Sequence, residues 1–243
     1  MSMRTRVLLA ACLSAVTGFV ALPAVAAEGK PNLGGVWLVE KPQAELKTTA
    51  GKAPPFKPEA ARVYAKRKQA KASGGKSADD PDPAAALCLP HGVPRLLNEA
   101  QPIQILQKPK QVTVLYQANH QSRQFYIDDP IPAADSLPDP NYDGYSSAKW
   151  DGNALVVSTY SLNALTWMDD VGMPHGEKLT VVERYELAGT DTLRVKLTLT
   201  DPETFTAPWD AQLTYKRQPN LRLKEDACAE KLWHPPSSAS GSG

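Results

Sequence analysis

One acidic residue in an apolar row constrains this chain more than any other feature. Residues 178–200 (KLTVVERYELAGTDTLRVKLTLT) read as two β-strands about a short turn at 188–191, where Gly189 and Asp191 supply the turn chemistry. In the second strand Leu193, Val195, Leu197 and Leu199 share one face, and Arg194, Lys196, Thr198 and Thr200 the other. That period of two buries one face and wets its opposite. The first strand alternates likewise through Leu179, Val181, Tyr185 and Leu187, and Glu183 stands in their row. An ionised carboxylate in an apolar interior must find a partner or give up its charge. Glu183 therefore predicts a polar partner from elsewhere in the chain.

The same short alternating runs recur at 31–40, 103–107, 111–117, 121–127, 145–150, 154–160 and 208–217, with Trp209, Ala211, Leu213 and Tyr215 inward in the last. Asp151-Gly152-Asn153 is a strong hairpin turn. Pro58–Ala72 is the one confident helix, opened by proline and followed by Gly74-Gly75. The 22 prolines cluster between the runs, at 79–95 and 128–143, and argue against an all-helical fold. Nothing alternates strand with helix, so the expectation is all-β: an antiparallel up-and-down barrel of about 8–10 strands with one N-terminal helix. Closure would remove the exposed edges, and a β-sandwich is the alternative.

Residues 1–26 have the order of a secretory signal: Arg4 and Arg6, an apolar run, then Ala24-Val25-Ala26 before Ala27. The short run is broken by Ser14, Thr17 and Gly18, which argues against a transmembrane anchor. A periplasmic or secreted location follows, with a single domain over 27–231, a disordered tail at 232–243, and no stable membrane insertion after signal removal. With Cys12 in the signal, Cys88 and Cys228 are left as an even pair, expected to form a disulfide. The net charge of +1 offers no global field for nucleic acid. The basic residues of 58–72 read as a solvated helix beside the acids Asp79, Asp80 and Asp82.

Arg123 shares the face of Phe125 and Ile127 and so points inward, as Glu183 does. Two readings follow. The pair is an interior salt bridge that specifies register, or it is the polar floor of a ligand cavity. In the second reading Arg123 holds a carboxylate or enolate and Glu183 moves a proton. Arg217 is an alternative partner for Glu183. His120, at a strand start, and His175, before the Glu183 strand, suit acid–base work near neutral pH with Glu183 or Asp170. Tyr116, Tyr185, Trp167, Trp209 and Arg217 are candidates to line a ligand site, Trp167 in a lid-like loop with Met168 and Met173. His91, His120, His175 and Asp170 form a weaker, metal-based alternative, since no two histidines share one element at ligand spacing. G-x-S-x-G, P-loop and G-x-G-x-x-G motifs are absent, and no cofactor is expected.

Gly35-Val36-Trp37 on the opening strand, with Arg217 on the closing one, resembles the lipocalin arrangement of G-x-W and a covering arginine. That resemblance implies a barrel whose closed end is packed by an Arg laid over an indole; the T-D-Y motif is missing. A second pattern spans most of 32–228. It comprises Cys88 with Gly92-Val93-Pro94-Arg95, His120-x-x-Arg123, Trp150-Asp151-Gly152-Asn153, Trp167-Met168-Asp169, Pro174-His175, Val182-Glu183-Arg184, Pro208-Trp209 and Cys228. It resembles a large, poorly characterised family of exported bacterial proteins, which implies fold and export and no particular reaction. The expected function is an exported binding protein that holds a small hydrophobic or aromatic molecule in a barrel cavity. The alternative is a cofactor-free isomerase, lyase or cyclase on the same barrel.

Overall fold

The computed structural model describes residues 29–73 and 80–232. The export signal expected at 1–26 lies outside these residues, as does all but the first residue of the tail expected at 232–243. Nine strands close into one barrel in chain order: β1 Gly35–Val39, β2 Ile103–Lys108, β3 Gln111–Tyr116, β4 Ser122–Ile127, β5 Tyr145–Asp151, β6 Ala154–Tyr160, β7 Thr180–Leu187, β8 Thr192–Thr200 and β9 Trp209–Arg217. Closure removes the sandwich alternative. The organising hairpin is β7–β8, in register from Thr180↔Thr200 to Leu187↔Leu193. The inward rows of β7, β8 and β9 are almost wholly buried.

The expected all-antiparallel order fails at one place, for a reason of parity. Strands that reverse at every step can close antiparallel only if their number is even. Nine strands with an antiparallel β1–β9 closure therefore need one step without reversal. That step is β4–β5, which pair parallel. A parallel pair needs a crossover, and residues 128–144 supply it, carrying Pro130, Pro132, Pro138 and Pro140. The ladder there is short, with only Tyr126↔Ser147 and Ile127↔Ala148 in register.

Helix α1 (Pro58–Ala72) forms as expected, but two further short α-helices accompany it among the described residues, α2 (Pro83–Leu87) and α3 (Cys228–Leu232). Helix α2 lies within the run read as a proline-rich loop; Asp82 caps it through Ala84 N, and Pro83 takes the first-turn position. Arg62, Arg67, Lys68 and Lys71 of α1 are tied to acids or carbonyls. Arg67 bonds Asp80 at 2.6 Å and sits 4.9 Å over Trp167, and Lys68 pairs with Glu45 at 2.7 Å. Cys88 and Cys228 are joined by a disulfide that spans 140 positions. Among the described residues no helix is long and apolar enough to cross a membrane.

Candidate functional site

Strand β7 sets Glu183 laterally between Val157 of β6 and Leu197 of β8. Neither neighbour accepts or donates, so the partner must come from across the barrel. Arg123 of β4 provides it. Its Nη2 donates to Glu183 Oε1 at 2.6 Å and its Nη1 to Oε2 at 3.0 Å. Thr159 Oγ1 donates to Oε1 at 3.2 Å and the Tyr185 hydroxyl to Oε2 at 2.5 Å. Each carboxylate oxygen thus accepts two bonds, which fills its lone pairs and lets a charge with no exposure persist. Burial works against the Arg123 charge, but the adjacent Glu183 carboxylate outweighs it and holds the guanidinium pKa well above its ordinary value. Burial first, and the Glu183 charge second, raise the Tyr185 phenol well above its usual range.

Arg123 does more than neutralise Glu183. Its Nη2 also donates to Thr159 Oγ1 at 2.8 Å and Ser146 Oγ at 3.2 Å, and its guanidinium lies 4.8 Å from the Phe125 ring. One side chain therefore links β4 to β5, β6 and β7 beside the stretch where the β4–β5 ladder stops. Two polar atoms in this cluster are buried without a partner among the described residues, Arg123 Nε and the Tyr116 hydroxyl. Burial is the main reason the Tyr116 phenol is pushed up to about 12.

Outside this cluster, where β4 and β5 diverge, lies a groove of about 410 Å³. Arg123 and Ser146 line it from within, while Tyr126, Tyr145 and Tyr160 belong to the outer wall and Asp129 to the start of the crossover. Tyr145 and Tyr160 stack with centroids 6.3 Å apart. Asp143, from the crossover, also lines the groove and accepts from Gln121 Nε2 at 3.1 Å. Burial raises the Asp143 carboxyl above its usual range, opposed by the Arg123 charge. Another groove, of about 540 Å³, lies between Val36, Gln104 and residues 219–223, and Arg222 is its one ionisable lining residue.

The structure brings together Glu183, Arg123, Tyr116 and Tyr185, and it separates the other candidates. Arg217 is not Glu183's partner: its guanidinium sits 4.1 Å over Trp37 and donates to Gly34 O at 2.6 Å. Gly35 allows that approach, because a Cβ there would meet Arg217 Nη1 at 2.5 Å. His175 is buried, with Nδ1 facing Gly176 O at 3.0 Å and Nε2 facing Thr166 Oγ1 at 2.9 Å. A carbonyl only accepts, so Nδ1 carries the proton and Nε2 accepts from the hydroxyl. His120 accepts from Asp226 N at 2.8 Å. Asp170 is bonded by Arg95 Nε at 3.0 Å. Trp209 packs edge-on against Phe205, and Trp167 lies under Arg67. Among the described residues no group of three or more His, Cys, Asp or Glu could hold a metal ion.

Several of the loop motif residues form a second buried network. Arg95 grips Asp82 through two 2.9 Å bonds, and Asp169 accepts from the amides of Val171, Gly172 and Met173 and from Tyr64. It holds the 166–176 loop in place.

The sequence alone does not single out Asp129, Asp143, Ser146, Thr159 or Tyr160. Thr159 was readable, since it shares the inward row of Leu155 and Val157. Asp143 was not, because the crossover has no period to phase it. No protein-family model matches the chain, and no curated protein matches it.

Proposed function

We propose that this chain is an exported binding protein that holds a small aromatic molecule in the groove between β4 and β5. The carrying observation is the groove itself. About 410 Å³ opens beside the two-pair β4–β5 ladder, with three tyrosines on its rim and the Arg123–Ser146 pair beneath. Ligand sites commonly combine apolar or aromatic walls with a few fixed polar groups. Tyr126 and Tyr145 expose 48% and 42% of their surface, though both sit on strands whose inner rows are closed. The Glu183 carboxylate fixes the Arg123 fork, so the floor is rigid before any ligand arrives. Export is supported by the signal-like start and agrees with the disulfide.

Native mass spectrometry of protein purified from its own host tests this reading, and a co-purified small aromatic molecule is the expected result. Tyr160→Ala should then weaken its binding by about 1 kcal/mol, the size of one aromatic contact. A ligand whose affinity is unchanged by Tyr160→Ala and by Ser146→Leu sinks the groove as the site.

A further inference from the structure

We propose that the β4–β5 groove selects an organic cation, an aromatic compound that carries a substituted ammonium group. This rests on the binding function proposed above and adds the charge of the ligand. Among the groove's lining residues the ionisable side chains besides tyrosine are Arg123, Asp129 and Asp143. The single positive charge is already taken, for Glu183 grips Arg123 through both terminal nitrogens. Arg123 Nη2 has two protons and meets three acceptors, Glu183, Thr159 and Ser146. A ligand carboxylate would find that nitrogen committed and two carboxylates opposite. The net field of the groove therefore comes from Asp129 and Asp143. Asp129 adjoins Tyr160, whose phenol is raised first by burial and then by the Asp129 charge. Tyrosine faces beside carboxylates favour a cation, since ring quadrupole and charge act in the same direction. A quaternary ammonium suits them best, being large, weakly hydrated and unable to lose its charge.

Isothermal titration of the full-length protein at neutral pH with phenyltrimethylammonium, benzyl alcohol and benzoate separates the possibilities. The expected order is phenyltrimethylammonium at least tenfold tighter than benzyl alcohol, and benzoate weakest. Asp143→Asn, with folding checked by circular dichroism, should remove most of that preference while benzyl alcohol binding stays within about twofold. Asp129→Asn provides an independent second variant, with the same expected direction. Benzyl alcohol or benzoate binding as tightly as the cation overturns the charge assignment and leaves the groove as a binding site. Failure of all three probes to bind overturns both the assignment and the binding function on which it rests.

Discussion

At the scale of single residues, the Arg123–Glu183 pair shows how a charge is kept inside a barrel. The two side chains are 3% and 0% exposed as whole residues, and each would cost several kcal/mol if stranded. Glu183→Gln should therefore lower stability by about 3–5 kcal/mol in urea denaturation. The double change Arg123→Met with Glu183→Leu should recover most of that loss, because it removes both desolvation penalties together. A single change that costs no more than its double would place the stabilisation in contacts other than the ion pair. His175 carries a second residue-scale prediction. Burial lowers its pKa below the ordinary imidazole value, so the unfolded chain binds the proton more readily than the folded one. Stability is full above pH 6.5, is lost as pH falls from there through the folded pKa, and levels off below it. His175→Gln should flatten that part of the stability–pH curve in denaturant titrations.

Among the elements, the β4–β5 seam differs from the rest of the barrel wall. Eight of the nine neighbouring pairs are antiparallel, while this one is parallel and has two residue pairs in register. The even residues of β4 turn their main-chain groups toward β5, since the odd ones face β3, as Ile127 N does in bonding Lys110 O just before that strand. The amides of Ser122 and Gln124 thus face the groove. In hydrogen exchange they should be among the first strand amides to exchange, well ahead of Val195 and Leu197 in β8. Protection equal to that of β8 would show that the gap closes in solution. Much of this was legible in the chain. The period of two placed Arg123, Glu183 and the core rows correctly, and the prolines of 128–143 marked a long excursion. What they did not reveal is that the excursion reverses the sense of pairing, because strand direction follows from the count of strands and not from any residue. The site is less legible for a related reason. Tyr126, Tyr145 and Tyr160 lie on outward rows, where alternation assigns residues to solvent and cannot show that three strands bring them to one gap.

In the whole molecule, the disulfide closes one covalent ring and leaves an arm of chain on either side of it. The closed loop from Cys88 to Cys228 contains β2 to β9. In a chain-entropy description, closing a loop this long is worth about 5 kcal/mol at most. Reduction should thus lower the denaturation midpoint without opening the barrel at neutral pH, as followed by tryptophan fluorescence. Strand β1 lies outside the loop, although it completes the wall between β2 and β9 and buries Trp37. Topologically the oxidised protein is a ring whose N-terminal arm supplies one strand of its wall. A single protease nick within residues 41–57 would then cut the molecule into two chains that no covalent bond connects. They should co-elute in native buffer and part on a non-reducing denaturing gel, which makes this barrel a natural candidate for a split reporter reconstituted by one short peptide.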